Sequence, residues 1–223
     1  MKYYAIIVGG GSGSRMQSEI PKQFMMLKGR PVLMHTIEAF YNSDLHPEII
    51  VVLNMDFHPY WEKLCIEFNF LVPHQLAKAG EQRFHSVKNG LKLVKETSIV
   101  AIHDAVRPLV SPEIIKASFE QAVKLGTAIT AVKSRDSVRQ SNGTRTVHLK
   151  REDIYLVQTP QTFKSDILKK AYLQDYRNEF TDDASVVERS GVEIHLVEGD
   201  NRNLKITFPE DIFLAELYLG KTH

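Results

Sequence analysis

The stretch that decides the fold lies at the start of the chain, where residues 3–23 read YYAIIVGGGSGSRMQSEIPKQ. The apolar run at residues 3–8 predicts a β-strand, and four glycines follow it within five residues. These glycines are Gly9, Gly10, Gly11 and Gly13. Because each glycine costs backbone entropy and adds no side chain, the cluster favours a sharp turn whose bare N–H groups approach an anion. Arg15 and Lys22 add positive charge beside it, so we interpret the loop as a phosphate-binding site.

The spacing of the glycines fits neither of the two common glycine motifs. A P-loop places Lys and then Ser or Thr directly after its last glycine, whereas Gly13 is followed by Ser14 and Arg15. A dinucleotide-binding loop needs a third glycine where this chain has Ser14 or Met16. The loop is therefore expected to bind phosphate by a geometry of its own. The alternative is a flexible strand-to-helix connection with no ligand.

The composition limits the classes of protein that remain. The chain has 223 residues, of which 43% are hydrophobic and 25% charged, as is typical of a soluble protein with one α/β core. A net charge of +1 offers no global field for nucleic acid or an anionic membrane. The single cysteine, Cys65, excludes an intrachain disulfide and fits a reducing compartment. No stretch approaches the ~20 apolar residues of a membrane helix, so we expect a cytoplasmic protein.

Strand-like and helix-like segments alternate along most of the chain, which predicts an α/β fold with a mostly parallel sheet covered by helices. Further strands are predicted at residues 48–53, 70–72, 99–103, 128–132, 154–159, 192–197 and 204–207. Helices are predicted at residues 32–41, 57–68, 81–95, 112–124, 164–177 and 209–219, with a short helix starting within 181–185. No repeat or linker interrupts the chain, so we expect one domain over residues 1–223.

The alternation breaks at about residues 134–153, where a protruding β-hairpin arm is predicted. Residues 137–140 and 145–149 flank the turn dipeptide Asn142-Gly143. Two strands with so few apolar residues are marginally stable alone, so the arm must rest on something else. We expect it to form a homodimer with a second copy of the chain, and the alternative is a surface flap.

Charged and polar side chains follow several of the predicted strands, where ligands bind in an open parallel sheet. Asp104 directly follows an apolar strand, and a lone carboxylate there suits Mg²⁺ shared with substrate phosphates. The alternative for Asp104 is a helix cap or an ion pair with Arg107. His103 is expected to be a core or supporting histidine, because no second histidine lies at ligand spacing. The cations at predicted strand ends are Arg15, Lys22, Arg107, Arg151 and Lys205.

The sequence holds no motif for a protein nucleophile. It lacks H-E-x-x-H and G-x-S-x-G, and its cysteine has no neighbouring base. Cations with one metal-binding carboxylate fit direct phosphoryl or nucleotidyl transfer, in which the protein positions two phosphates and neutralises charge. The attacking group would then be a phosphate of the substrate itself.

Six motifs in order resemble the methylerythritol-phosphate cytidylyltransferase family of isoprenoid biosynthesis. They are Gly-Gly-x-Gly-x-Arg-Met with Pro-Lys-Gln, His-Asp-Ala-x-Arg-Pro, Gln-Thr-Pro-Gln-x-Phe, Thr-Asp-Asp-Ala-Ser and Asn-x-Lys-Ile-Thr. The match spans residues 3–219. The resemblance implies a Rossmann-like nucleotidyltransferase, dimeric through an exchanged arm, that requires Mg²⁺. Its reaction would join CTP to 2-C-methyl-D-erythritol 4-phosphate and release pyrophosphate.

The resemblance also implies roles for individual residues. The catalytic cations would be Arg15, Lys22 and Lys205. The CTP phosphates would be held by Gly9, Gly10, Gly11 and Gly13 with Arg15 and Lys22. Gly80, Arg83 and Ser86 would recognise the cytosine and neighbouring groups, and Ala105 would lie against the ribose. The metal ligand would be Asp104. The acceptor would be bound by Asp136, Ser137, Arg107, Arg151, Thr159 and Thr181, with Arg151 reaching from the partner's arm.

Two departures from the family pattern bear on the acceptor. The usual loop opens Pro-Ala-Ala-Gly, whereas residues 8–11 read VGGG, closer to a sister family that makes CDP-ribitol. The usual Asp-Thr before the arm is Asp136-Ser137. The alternatives are therefore a ribitol-5-phosphate cytidylyltransferase, a sugar-1-phosphate nucleotidyltransferase, and a module that senses CTP without turnover. A longer C-terminal extension is usual in the second of these.

Overall fold

The computed structural model describes residues 1–11 and 20–220, which contain a seven-stranded sheet covered by helices on both faces. Arg15 and Gly13, both predicted to bind phosphate, lie outside the described residues. The strands of the main sheet are β1 (Lys2–Val8), β4 (Glu48–Leu53), β5 (Gln75–Lys78), β6 (Ser98–Asp104), β7 (Thr127–Lys133), β10 (Tyr155–Lys164) and β11 (Leu196–Glu198). The remaining strands form two small antiparallel pairs, β2 (Met26–Leu27) with β3 (Arg30–Pro31) and β8 (Val138–Ser141) with β9 (Thr146–Leu149).

The helices of the described residues alternate with the strands as the sequence predicts. They are α1 (Val32–Tyr41), α2 (His58–Glu67), α3 (Arg83–Leu91), α4 (Pro112–Leu125), α5 (Ser165–Ala171), α6 (Asp183–Arg189) and α7 (Glu210–Leu219). Residue identity explains their ends. Ser111 accepts a hydrogen bond from Ile114 N at the start of α4, and Gly126 ends that helix with a φ of 91°, a left-handed conformation that glycine adopts without strain. No described helix is long and apolar enough to cross a membrane.

The order of strands across the sheet is β11-β7-β10-β6-β1-β4-β5. Every neighbouring pair is parallel except those made by β10, which runs antiparallel to both β6 and β7. The predicted α/β class with a mostly parallel sheet is confirmed. Strand β1 is buried on both faces, which is why its sequence is a continuous apolar run and not an alternating one.

The core lies in two layers, one on each face of the sheet. Because side chains alternate along a strand, Ala5 and Ile7 pack into one layer, and Tyr4 and Ile6 pack into the other. The first layer holds the apolar sides of α1, α2 and α4, including fully buried Trp61. The second holds those of α3, α5 and α6. Burial on both faces fixes the central strands and therefore the loops at their carboxyl ends.

Several predicted boundaries are wrong. Residues 70–72 form no strand, because Phe70 packs into the core and the edge strand is the more polar β5. The strand predicted at residues 154–159 continues to Lys164, and the helix predicted at 164–177 ends at Ala171. Residues 204–207 form no strand, although Ile206 N donates to Val106 O over 2.9 Å. The strand predicted at 192–197 is reduced to β11.

The arm is a hairpin, as predicted. Strands β8 and β9 pair antiparallel from Val138 with Leu149 to Ser141 with Thr146. The turn between them holds Asn142, whose Oδ1 accepts from Arg145 N at 2.9 Å, and Gly143 with a φ of 93°. Most side chains of the two strands are exposed.

Candidate active site

A cleft of about 500 Å³ opens at the carboxyl ends of β1, β5 and β6. Its lining includes nine of the residues predicted to act on the nucleotide: Gly9, Gly10, Gly11, Lys22, Gly80, Arg83, Ser86, Asp104 and Lys205. Val8, Gln23, Glu81, Gln82 and Val106 complete the lining. The parallel strands bring together residues that are up to about two hundred positions apart in the chain, as expected of an open α/β sheet.

The glycine loop is held against its neighbours by its backbone. Gly9 N donates to Val52 O over 2.9 Å, and Gln23 Nε2 donates to Gly9 O over 2.7 Å. A Cβ built on Gly10 would lie 2.6 Å from Ala79 Cβ, whereas one on Gly11 would meet nothing within 4 Å. Glycine at position 10 thus allows the close approach of the neighbouring loop, a packing role in addition to the predicted approach of an anion.

The loop after β5 is organised by Ser86. Its Oγ accepts from Gly80 N at 3.0 Å and donates to Gln82 O over 3.2 Å. A Cβ on Gly80 would collide with His85 Cβ. The predicted base-binding residues Gly80 and Ser86 therefore fix each other, and they form one wall of the cleft.

Asp104 lies at the end of β6 and is only 7% exposed. Lys205 Nζ lies 2.9 Å from Asp104 Oδ2, and Arg107 Nε lies 3.4 Å from the same oxygen. Arg83 Nε lies 3.6 Å from Oδ1. Burial alone would raise the pKa of the Asp104 carboxyl, but the charges of Arg83, Lys205 and Arg107 hold that pKa well below its usual range. The carboxylate is ionised, and the ion pair with Arg107 considered as an alternative is present.

The described part of the chain holds no group of three or more His, Cys, Asp or Glu that could bind an ion by itself. The ionised Asp104 carboxylate on the lining of the cleft fits Mg²⁺, which takes its remaining ligands from water and substrate phosphates. The role of Asp104 as a metal ligand stays a prediction.

A network of hydrogen bonds through Thr159 and His103 holds Asp104 in position. Thr159 Oγ1 accepts from Asp104 N at 3.1 Å and lies 3.1 Å from His103 Nδ1. His103 Nε2 lies 3.1 Å from the carbonyl oxygen of Arg107, which can only accept, so Nε2 carries the proton and Nδ1 accepts from Thr159. Burial lowers the pKa of His103 to about 4, so the ring is neutral. The expected supporting role of His103 agrees with these contacts.

The hydrogen-bond network around Asp104 continues through Asn203, which was not among the predicted site residues. Asn203 is fully buried, and its Nδ2 donates to Thr159 O over 2.8 Å. Its backbone carbonyl oxygen accepts from Arg107 Nη1 at 2.7 Å. These bonds fasten the loop that carries Lys205 to strand β10 and to the turn after β6. Both Asn203 and Gln23 could have been found from the sequence, because Asn203 belongs to the motif Asn-x-Lys-Ile-Thr and Gln23 to the motif Pro-Lys-Gln.

Lys22 lies in a short 3₁₀ helix at the mouth of the cleft. Its Nζ donates to Thr207 O over 3.0 Å, which joins the segment after the glycine loop to the segment before α7. Ala105 is buried, with its Cβ 3.1 Å from where a Cβ on Gly9 would lie. Both of these residues thus lie at or directly behind the glycine loop.

The residues predicted to bind the acceptor do not line the cleft of their own chain. Asp136, Ser137, Arg151 and Thr181 are exposed, the first three at the base of the arm and Thr181 just before α6. Arg151 Nη1 donates to Arg135 O at 3.4 Å. Thr159 is buried within β10, which is longer than predicted and runs antiparallel to its neighbours, so Thr159 approaches the site from beneath Asp104.

A mostly parallel sheet with a glycine-lined cleft, a buried ionised carboxylate and converging cations is typical of the α/β nucleotidyltransferases. Within that class, the family model for IspD, 2-C-methyl-D-erythritol 4-phosphate cytidylyltransferase, matches residues 3–221. The chain belongs to this family, which confirms the resemblance of its motifs.

Relatives and solved structures agree with this assignment. The chain is 48% identical over 215 residues to the 2-C-methyl-D-erythritol 4-phosphate cytidylyltransferase of Bacteroides fragilis, covering 96% of this chain and 98% of that one. It is 46% identical to that of Phocaeicola vulgatus, covering 98% and 100%. The crystal structure of the 4-diphosphocytidyl-2C-methyl-D-erythritol synthase of Anaerococcus prevotii superposes with a TM-score of 0.84 at 28% identity, covering 99% of each chain.

Proposed function

We propose that this nucleotidyltransferase moves CMP from CTP to 2-C-methyl-D-erythritol 4-phosphate, giving 4-diphosphocytidyl-2-C-methyl-D-erythritol and pyrophosphate. The observation that carries the proposal is the ionised Asp104 with Lys205 at 2.9 Å on the rim of the glycine cleft, in a chain of this family. Such a site needs no protein nucleophile, because the acceptor's own phosphate attacks.

In the proposed reaction, an oxygen of the acceptor phosphate forms a bond to the α-phosphorus of CTP while the bond from that phosphorus to the β-phosphate oxygen breaks. The electron pair leaves with pyrophosphate. Lys22 and Lys205, with Arg15, stabilise the charge that grows on the oxygens around the α-phosphorus. Mg²⁺ on Asp104 would supply further charge neutralisation for the phosphates.

The nucleotide would lie with its phosphates along residues 9–11 and its base against Gly80 and Ser86. The open space at Gly11, where a Cβ would meet nothing within 4 Å, supports this orientation because phosphates need bare backbone. The wall of Gly80 and Ser86 is fixed by the bond from Gly80 N to Ser86 Oγ. Cytosine recognition by that wall, with Arg83 beside it, stays a prediction.

We further propose that the acceptor site is completed by the arm of a second copy. Ser137 and Arg151 are exposed and do not line their own chain's cleft. Four apolar side chains beside the arm are also 40–55% exposed, which favours cover by a partner: Val147, Tyr155, Leu156 and Val157. The exposed apolar side chains also support the homodimer, which stays a prediction. A cytoplasmic location likewise stays an expectation of the sequence.

The test is an acceptor assay with the purified protein, CTP and Mg²⁺, read as pyrophosphate release. 2-C-methyl-D-erythritol 4-phosphate should support turnover, and ribitol 5-phosphate should be a poor acceptor. Ribitol 5-phosphate is included because residues 8–11 read VGGG in place of the usual Pro-Ala-Ala-Gly. Preference for ribitol 5-phosphate would overturn the proposed acceptor, and tight CTP binding with no pyrophosphate from either compound would indicate a sensing module.

A further inference from the structure

Behind the nucleotide cleft lies a buried carboxylate for which the reaction has no direct use. Asp183 is the first residue of α6 and has no exposed surface. The hydroxyl of Tyr172 donates to Asp183 Oδ1 over 2.6 Å. Arg83 Nη2 lies 2.6 Å from Asp183 Oδ2. The carboxylate therefore meets one neutral donor and one cation.

Arg83 connects this carboxylate to the cleft. It is the first residue of α3, it lines the cleft, and its Nε lies 3.6 Å from Asp104 Oδ1. One guanidinium thus lies between two carboxylates, with Asp183 much the closer. A buried carboxylate without a partner is costly, so Asp183 strongly disfavours any rotamer that takes Arg83 away.

Aromatic packing restrains the same region. Phe84, the neighbour of Arg83 on α3, stacks on Tyr172 with ring centroids 4.7 Å apart and an interplanar angle of 19°. Phe84 also stacks on Phe180, with centroids 5.7 Å apart. The start of α3 is thus fixed to the segments around α5 and α6 by a ring stack and by an ion pair. Tyr172 belongs to the ring stack and also donates to the carboxylate of the ion pair.

We propose that Asp183 and Tyr172 are positioning residues that hold the Arg83 guanidinium in place on the wall of the cleft before CTP binds. The inference rests on the proposed role of Arg83 in nucleotide binding. A free arginine side chain loses considerable rotamer freedom when it binds a ligand. An arginine already fixed by Asp183 loses little, so the fixed geometry favours CTP affinity.

The experiment is a double-mutant cycle on the full-length protein, with the dissociation constant of CTP measured by calorimetry in the presence of Mg²⁺. The variants are Arg83→Met, Asp183→Asn and the two combined. Asp183→Asn should raise the CTP dissociation constant by about tenfold, since residues in one ion-pair network couple strongly. In the Arg83→Met background the same substitution should cause almost no further change, because Asp183 acts through Arg83.

Two further variants separate positioning from general stability. Tyr172→Phe keeps the ring stack and removes one hydrogen bond, so it should raise the CTP dissociation constant by roughly threefold and serves if Asp183→Asn does not fold. Glu38→Gln breaks the ion pair with Arg30, whose closest atoms are 2.8 Å apart, elsewhere in the fold. It is the matched control and should leave CTP binding unchanged. In steady-state assays the KM for CTP should rise in Asp183→Asn, while the KM for the acceptor stays the same.

The outcomes distinguish this inference from the proposed function. If Arg83→Met binds CTP normally, the assignment of Arg83 to the nucleotide site is wrong. If Arg83→Met weakens binding but Asp183→Asn and Tyr172→Phe do not, the positioning role is overturned while the site stands. Independent, multiplicative effects of Arg83→Met and Asp183→Asn would also overturn it. A lower unfolding temperature with unchanged CTP affinity in folded Asp183→Asn would assign Asp183 to stability alone.

Discussion

The chemistry of the site depends on keeping a carboxylate charged where burial disfavours charge. Asp104 achieves this with cations from three separate segments, and Lys205 is the closest of them at 2.9 Å. Two of these cations, Lys205 and Arg83, also line the cleft in which the triphosphate is proposed to bind, whereas Arg107 does not. Because they are already held in the cleft before the nucleotide arrives, they would offset the charge of the triphosphate with little reorganisation.

Lys22→Ala is expected to lower kcat by about 10²–10³ with little change in stability, since one preorganised donor to the growing charge is lost. Stability should change little because the side chain, which donates to Thr207 O, lies at the mouth of the cleft and not in the apolar core. Pyrophosphate release and thermal unfolding measure the two effects. Lys63→Ala, on the exposed side of α2, is the matched control. A Lys22→Ala enzyme with near-normal kcat would remove Lys22 from the catalytic set.

Gly10→Ala should destabilise the protein by about 1–3 kcal/mol, the usual cost of overpacking. The new Cβ would lie 2.6 Å from Ala79 Cβ, a rigid neighbour that cannot turn aside. Gly11→Ala is the matched control, since its Cβ would meet nothing within 4 Å. Denaturant unfolding measures both. Alanine is usual at this position in the family, so equal stability of the two variants would show that the loop of this chain also has room for it.

The sequence predicted the charged residues that line the cleft better than the buried polar residues that hold them in position. Asp104 and Lys205 stand out because charged residues beside an apolar strand or in a short motif demand an explanation. Asp183 and Asn203 also lie in short motifs, but their roles could not be read from the sequence, since buried polar groups are defined by partners far away in the chain. Asn203 donates to Thr159 O, and Asp183 pairs with Arg83, contacts that only the folded chain brings together.

At the scale of elements, apolar runs and caps predicted most helices and strands. The sequence of a strand, however, does not indicate whether it runs parallel or antiparallel to its neighbours. Strand β10 reads as another apolar segment, yet it runs antiparallel between β6 and β7. Its reversed direction takes Thr159 beneath Asp104, where the hydroxyl accepts from Asp104 N. The edge strand β5 was missed because only Ala77 of its four residues is buried, so the strand needs no strong apolar pattern.

The loop that carries Lys205 gives a prediction at this scale. Asn203→Ala removes the amide that donates to Thr159 O over 2.8 Å and leaves that buried oxygen without this donor, at a cost of about 1–3 kcal/mol. Because the loop also places Lys205, kcat should fall while the KM for CTP changes less. Asn201→Ala, in the exposed part of the same loop, is the control. Loss of stability with unchanged kcat would mean that the hydrogen bond from Asn203 to Thr159 O does not position Lys205.

For the whole molecule, the proposed arrangement divides each acceptor site between two chains. In that arrangement Arg151→Ala should raise the KM for the acceptor much more than the KM for CTP, because Arg151 pairs with the acceptor phosphate. Lys133→Ala, an exposed lysine at the end of β7, is the matched control. Equal effects of Arg151→Ala on both KM values would contradict its place in the acceptor site.

Mixing two impaired variants tests the exchange of arms itself. In a dimer of Lys22→Ala with Arg151→Ala, one of the two sites would receive both defects and the other would have wild-type residues from each chain. Random exchange gives half mixed dimers, so roughly a quarter of wild-type activity should return by the symmetry of a two-chain assembly. Subunits would be mixed after mild denaturation and refolding, with light scattering to measure the assembly. If each chain completes its own site, the mixture should show only the average of its two parents, and a monomer by light scattering would rule out exchange altogether.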